Sequence, residues 1–326
     1  MPDARPSQRL PRDLQALLAR LAELKYRFTA VTPDTHALNL ARAPERTARS
    51  LRDVFGWNLA FSPDVLPGNL FTSMQRAAAC EQLPSGLWRA TLRVASVGHL
   101  LFAHSPFPTS ARDAVFFGPD SYRFARAVRK LSATARRAVD VGCGSGVGGI
   151  VLSHYGSLEN PVVLADINDR ALMLAGVNAR AAGVTAELVN SDLLQQVDGP
   201  VDLVIANPPY LVDPGARAYR DGGEDHGTAL SVRIVRESLE RLGRGGGGAL
   251  LLYTASPIID GEDTLFEQIR EDLRRCGGSY VYEELDPDVF ASELREPAYQ
   301  EVERIAVVLL QVSVGDPRER VAPGAP

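Results

Sequence analysis

The sequence predicts an α/β protein built on an open, mostly parallel, Rossmann-like sheet with an antiparallel last strand, preceded by a smaller N-terminal module of helices and a β-hairpin. Three stretches carry that prediction. Residues 137–150, centred on Asp140-Val141-Gly142-Cys143-Gly144-Ser145-Gly146, read as strand, glycine-rich turn and helix start. Two short apolar strands follow, Pro161 to Asp166 and Ala186 to Leu193, each running into an acid, Asp166 and Asp192. A third apolar strand, Val201 to Ala206, stops in Asn207-Pro208-Pro209-Tyr210. Strands that alternate with helical stretches lie parallel, with the helices covering the faces of the sheet.

The elements follow in order. Leu14 to Ala22 has helical spacing of apolar residues. Pro44 to Val54 reads as a second helix, with Pro44 near its start, and Phe71 to Cys80 as a third. Leu87 to Val94 alternates as a strand, Ser96-Val97-Gly98 turns, and His99 to Ala103 returns. Helices followed by a hairpin suggest a winged-helix-like substrate-recognition domain over residues 1–105, with a linker at 106–114 that begins Pro106-Phe107-Pro108. The sheet domain then spans 115–315, and a disordered tail 316–326. Within it, a helix runs from about Tyr122 to Leu131. Further helices are expected over Thr228 to Leu242 and Asp263 to Cys276. Ala249 to Tyr253, Tyr280 to Tyr282 and Ile305 to Val312 complete the sheet. Arg244 to Gly248 is a tight turn and not a phosphate loop, because no Lys-Ser/Thr follows it.

The strand ends carry the candidate site, since ligands of open α/β sheets bind at the carboxyl ends of the strands. Gly142, Gly144 and Gly146 let backbone approach a ligand closely. Gly144-x-Gly146-x-x-Gly149 also fits a dinucleotide fingerprint, a weak signal by itself. Asp140 argues against it: a carboxylate two residues before Gly142 repels a pyrophosphate and welcomes a cationic amino group. Asp166, 24 residues past Gly142, stands where a ribose-binding carboxylate belongs; its other reading is an N-cap for a helix starting near Asn168 or Asp169. Asp192 is placed to accept from an adenine amino group, or is a solvated turn residue. Asn207-Pro208-Pro209-Tyr210 is either turn punctuation or a device, because a prolyl pair cannot continue a ladder and forces the chain to turn there. The device would be an amide, a fixed carbonyl and an aromatic ring delivered together to hold a planar NH2 group.

Composition sets bounds. The chain has 326 residues, 45% hydrophobic and 23% charged, as an ordinary globular protein has. It has no run of 18 apolar residues and no apolar signal core in Met1 to Asp13, so no membrane association is expected. Cys80, Cys143 and Cys276 lack metal or disulfide spacing, no metal site is expected, and the pattern suits a reducing cytoplasm. Charge divides unevenly: residues 1–130 hold 18 Lys+Arg against 10 Asp+Glu, a net +8, and the remainder a net −13. That asymmetry suggests separate modules and an anionic partner for the first; its plain alternative is a compositional preference for arginine.

The ordered set of strand, glycine loop, strand-Asp, strand-Asp and strand-Asn-Pro-Pro-Tyr resembles the class I S-adenosylmethionine (SAM)-dependent methyltransferases. Within them it is most similar to the release-factor glutamine methyltransferase family and its relatives. Asp221-Gly222-Gly223-Glu224-Asp225 adds to the likeness, which covers about residues 115–312. The resemblance implies SAM as cofactor, held by Phe117, Asp140, Gly142, Gly144, Gly146, Asp166, Ile167, Asp192, Leu193 and Asn207. It implies Asn207, Pro208, Pro209 and Tyr210 as the catalytic set. In related enzymes the segment around Phe116, Phe117 and Tyr122 caps the cofactor; core packing is the alternative for these rings. The N-terminal part departs from the all-helical domain of the glutamine methyltransferases, which leaves the acceptor open. Protein glutamine, an exocyclic base amine of RNA or DNA, and a small molecule all offer a planar NH2, while a non-catalytic SAM- or RNA-binding module stands as a different class. His226 is expected near the mouth of the site, as a substrate contact or a solvated loop residue.

Overall fold

The computed structural model describes residues 6–131 and 134–315; the tail expected at 316–326 lies outside them. Seven strands form the main sheet: β1 Ala138–Val141, β2 Val162–Asp166, β3 Ala186–Asn190, β4 Leu203–Ala206, β5 Gly248–Ile259, β6 Ser279–Asp286 and β7 Arg304–Val314. Their order across the sheet is β6-β7-β5-β4-β1-β2-β3, with a short strand, Glu262–Asp263, on the end of β5. β3, β2, β1, β4 and β5 run parallel. β7 inserts antiparallel between β5 and β6, as the sequence led one to expect of the last strands.

Period-2 alternation assigns each strand residue to a face. Leu203, Ile205, Leu251 and Tyr253 join one apolar cluster, and Val204, Ala206, Leu250 and Leu252 the other. The second face is covered by α8 (Ala229–Gly245) and α9 (Thr264–Arg275) through Val232, Val235, Leu265 and Ile269. The first face is covered by α5 (Pro119–Arg129), α6 (Val147–Tyr155) and α7 (Asp169–Ala181). Each element lies within a few residues of its sequence-based span.

The N-terminal module contains α1 (Pro6–Glu23), α2 (Pro33–Ala41), α3 (Leu51–Phe55) and α4 (Leu70–Arg76), with two small antiparallel pairs. The helix expected over Pro44 to Val54 shrinks to α3. Asp53 is the reason: its carboxylate accepts from Arg49 N, Ser50 Oγ and Arg46, while Ser50 Oγ caps Asp53 N. These local bonds offer the backbone an alternative to helix and start it at Leu51. The unanticipated α2 begins at the pair Thr32-Pro33, with Thr32 Oγ1 accepting from Thr35 N. The single strand expected over Leu87 to Val94 divides: Trp88–Ala90 pairs with Cys80–Gln82, and Arg93–Val97 forms the hairpin with Leu100–His104.

Module and sheet share one core. Leu17 and Leu21 of α1, Phe102 of the hairpin, Phe117, and Leu172 and Ala175 of α7 belong to a continuous apolar cluster. One polar side chain sits inside it. Asn178, fully buried on an otherwise apolar face of α7, accepts from Ala103 N (2.8 Å) and donates to Ala103 O (3.1 Å) and Ser145 O (2.9 Å). It thereby ties the hairpin's edge to the loop after β1. Among the described residues, no helix is long and apolar enough to cross a membrane.

Asn178→Ala leaves three buried backbone groups without a partner. It should lower unfolding free energy by about 3 kcal/mol or more in urea titrations, with hairpin amides losing hydrogen-exchange protection first. An unchanged urea midpoint would show that the module is held by apolar contact alone.

Candidate functional site

The parallel register brings four strand ends to one level. Ala206 pairs with Val141, Val141 with Ala165, and Asp166 with Asn190, so Asn207 and Gly142 follow β4 and β1 while Asp166 ends the adjacent β2. Neighbouring strands lie about 4.8 Å apart, and the three residues therefore line one crevice.

The glycine loop turns through left-handed conformations at Gly142 (φ 65°), Gly144 (φ 53°) and Gly146 (φ 78°). A Cβ at Gly142 or Gly144 would meet nothing within 4 Å, so the loop's outer side is an open cradle. On the inner side the requirement reverses. A Cβ at Gly149 would overlap the Leu164 side chain, and one at Gly148 the Phe124 ring, so helix α6 approaches the sheet only because both positions are glycine.

Two buried carboxylates brace the loop. Asp140 Oδ2 accepts from Gly149 N (2.7 Å). Burial pushes its pKa up to about 7; the Gly149 amide opposes the shift and the Asp166 charge adds to it. Asp140 thus points at the first turns of α6, beneath the loop and not out of it. Asp166 Oδ2 accepts from Gly144 N (2.8 Å) and Oδ1 from Asn168 N (2.9 Å), and burial raises its pKa as well. The cap of α7 is Asn168, whose side chain accepts from Arg170 N, so Asp166 is not spent on capping. A carboxylate has about four lone-pair directions, which leaves Asp166 free to accept further hydrogen bonds. Burial, with Asp166 and Asp140 nearby, holds the Cys143 thiol well above its usual pKa, which rules out a resting thiolate.

Asn207 is half-buried, and its amide makes no hydrogen bond among the described residues. The loop that presents it is clamped from behind by Asp221-Gly222-Gly223. Gly222 N donates to Leu211 O (2.7 Å), Leu211 N to Arg220 O (3.2 Å) and Leu230 N to Gly222 O (3.0 Å). A Cβ at Gly222 would strike Gly227 O and Tyr210 Cα, and one at Gly227 (φ 92°) the Tyr210 carbonyl. Further on, the buried Asp213 carboxylate takes Arg217 Nε (2.8 Å), Arg217 N (2.8 Å) and Arg220 (3.5 Å), bonds that hold its pKa down near 2. Val212 N donates to Tyr299 Oη (2.8 Å).

Tyr210 is only 8% exposed, clustered with Leu211, Tyr299 and Ile305 and with its ring 5.9 Å from Phe290. Burial raises its hydroxyl pKa, and the Asp120 carboxylate at the start of α5 raises it further. Asp120 also accepts from Tyr253 Oη (2.8 Å) and Arg123 Nη1 (3.2 Å). The ring expected to stack on an acceptor is therefore mostly a wall that fixes the loop.

Other expected residues divide. Ile167 is 70% exposed beside Asp166, an apolar surface at the crevice edge. Leu193 is buried in a left-handed turn (φ 54°). Asp192 is half-buried and engaged by Arg233 (3.1 Å) and Gln195 (3.3 Å), so an adenine amine would have to compete with a cation for it. Phe117 corrects the reading as a cofactor cap. It is fully buried among Phe102, His104 and Tyr122, whereas Phe116 stacks on Tyr219 at 5.3 Å. Position 117 faces the shared core because the segment before α5 closes the joint between module and sheet. His226 is half-buried in a left-handed conformation (φ 57°), its ring 6.4 Å from Tyr299. Asp120 and Asn178 escaped the sequence reading; a lone Asn on an apolar helix face was the available signal for the second.

With this geometry in view, the chain's likeness to known proteins can be stated. Residues 124–271, from inside α5 to inside α9, match the family model of the methyltransferase small domain. The match covers somewhat less than half of the chain and takes in β1 to β5 of the sheet. It is 31% identical over 147 residues (45% of this chain, 39% of the relative) to the ribosomal RNA small subunit methyltransferase C of Serratia proteamaculans. It is 35% identical over 128 residues (36% of this chain, 44% of the relative) to the release factor glutamine methyltransferase of Deinococcus radiodurans. The chain therefore spans less than half the length of these relatives. The solved structure of Trm5b from Pyrococcus abyssi aligns over 70% of this chain and 59% of that one, with a TM-score of 0.49 and 16% identity.

A carboxyl raised above its unfolded value contributes stability that is full below about pH 4 and is lost as pH rises through about 7. Asp140→Asn keeps an acceptor for Gly149 N and removes the charge. The variant should gain stability relative to the native chain as pH rises from 4 to 8, by on the order of 3 kcal/mol. Urea titrations at four pH values would read this, and a pH-independent difference would refute it.

Proposed function

We propose that this protein is a SAM-dependent N-methyltransferase that methylates a planar NH2 nitrogen of a macromolecule, either a glutamine side chain or an exocyclic base amine. The observation that carries the reading is the unpartnered Asn207 amide, held by a braced loop level with the open glycine cradle and Asp166. Such an amide at a strand end has no structural task there.

The residues fit the cofactor. The Gly142 and Gly144 backbone gives room for close approach, Asp166 retains lone pairs for ribose hydroxyls, and exposed Ile167 offers an apolar edge for an adenine. SAM bound there supplies an electrophilic methyl group on a sulfonium. The chain's own residues orient the acceptor. An amide or aromatic amine has its lone pair delocalised, which makes nitrogen a poor nucleophile. Asn207 Oδ1 and the Pro208 carbonyl, both acceptors, take hydrogen bonds from the two N–H groups. That aims the lone pair and stabilises the positive charge that develops on nitrogen. The methylated nitrogen then loses a proton to water, so no strong base is needed. Tyr210, Gly222 and Asp213 hold the loop rigid while this happens.

Transfer of labelled methyl from SAM into an extract of cells lacking the gene, followed by protease or ribonuclease digestion, identifies the acceptor class. Asn207→Ala should cut that transfer by roughly 10²-fold while SAM affinity is kept; full activity in the variant would dismiss the mechanism. Asp166→Ala should instead weaken SAM binding, read by calorimetry, by about 10-fold or more. Native affinity would remove the ribose assignment.

A further inference from the structure

The N-terminal module carries an open groove of about 560 Å³ lined by Lys25, Arg27, Thr29, Ser50, Arg52 and Ser96, among other residues. We propose that this groove, whose role as substrate dock rests on the methyltransferase reading above, binds the phosphate backbone of an RNA acceptor.

The groove is built and not merely a scatter of charges. Residues 25–30 alternate between exposed and buried, with Lys25, Arg27 and Thr29 outward and Tyr26, Phe28 and Ala30 inward. The segment is pinned to the hairpin by Ser96 N donating to Phe28 O (2.9 Å) and by Ser96 Oγ, which both accepts from Phe28 N and donates to Phe28 O. Lys25 is set in the left-handed turn that closes α1 (φ 56°), and Arg27 two residues on, in the pinned segment. Arg52 joins them from α3, its guanidinium 6.0 Å from the Phe28 ring. A second groove, lined by Arg46 and Arg49, also holds the carboxylates of Glu45 and Asp53 and adds no net charge.

The partner's chemistry follows from what the groove holds and lacks. No carboxylate lines it. Lys25, Arg27, Arg49 and Arg52 form no salt bridge among the described residues, whereas Arg46 is taken by Asp53. Cations without a carboxylate partner, beside the Thr29 hydroxyl, suit phosphate oxygens, which accept from both; the Ser50 and Ser96 hydroxyls are committed to Asp53 and Phe28 O. A protein partner docks through a buried apolar or aromatic anchor; among the described residues the large exposed apolar side chains lie outside the groove, whose own apolar lining, Leu24, Tyr26, Phe28 and Leu51, is buried or half-buried. The module, residues 1–105, holds 13 Lys+Arg against 8 Asp+Glu, a net +5, and the remainder a net −10, which adds direction: a polyanion is repelled by the sheet domain except where the module offers it a positive face.

The test is fluorescence anisotropy of a labelled 24-nucleotide single-stranded RNA against the full chain over a KCl series. It is run with the native protein and with the Lys25→Ala/Arg27→Ala/Arg52→Ala variant. The proposal expects affinity to fall at least 10-fold and the salt slope to drop by about 2, since each lost phosphate contact removes about 0.7 on a single strand. Lys25→Ala/Arg27→Ala alone, at two exposed positions, should lose about two thirds of that slope change and covers the case in which removing Arg52 unsettles the fold. Native-like RNA binding by the variants would overturn the proposal, as would a poly-glutamate peptide displacing the RNA at equal charge concentration. A SAM-induced thermal shift, measured in parallel, separates the two readings. RNA binding lost in the variants with no SAM shift in any protein upholds the groove and sinks the methyltransferase reading. A SAM shift with groove-independent RNA binding does the reverse.

Discussion

Two buried carboxylates hold the turn on which this protein depends. Asp140 takes the Gly149 amide and Asp166 the Gly144 amide, one from beneath and one from the side. Together they fix a loop whose glycines leave its outer face empty and its inner face tight against Leu164 and Phe124. A larger side chain inside would push α6 away from the sheet; one outside would fill the cradle. The same loop, through Ser145 O, also receives Asn178, so the position of the N-terminal module is referred to the glycine turn.

The acceptor side is made rigid by different means. The Asn207 side chain makes no hydrogen bond among the described residues, and its position is inherited from neighbours. The prolyl pair turns the chain, Gly222 and Gly227 allow a second segment to lie against the backbone of Tyr210, and Tyr210 is walled in beside Asp120 and Phe290. Asp213 with Arg217 and Arg220 closes the far end. Rigid support of an unsatisfied amide is what hydrogen-bond catalysis requires, because a donor or acceptor that must first reorganise loses most of its effect.

Charge differs between the two parts of the molecule. The sheet domain is acidic and the module basic. The module nevertheless shares its core with α7, so its grooves are held at a fixed place relative to the site. A long acceptor docked on one would be presented to the other in a restricted set of positions, which favours a macromolecule over a free small molecule.

Local pattern determined most of the sheet domain. Apolar strands of four to six residues, glycines at fixed offsets and the prolyl stop at Asn207 are read without neighbours, because each depends on backbone conformations that few residues adopt. The places of Asp166 and Asn207 at strand ends were legible for the same reason. The module was less so: Pro44 to Val54 has helical residues, but Asp53 folds back on Arg49 and Ser50. Phe117 and Tyr210 show the limit of sequence most clearly. An aromatic ring beside a ligand loop and one in a core look alike in sequence, and only the partners brought from afar, His104 and Phe102 for one and Asp120 and Phe290 for the other, decide which it is. Sequence settled where the backbone must turn; tertiary structure settled which way the side chains face, because that depends on contacts between residues distant in the chain.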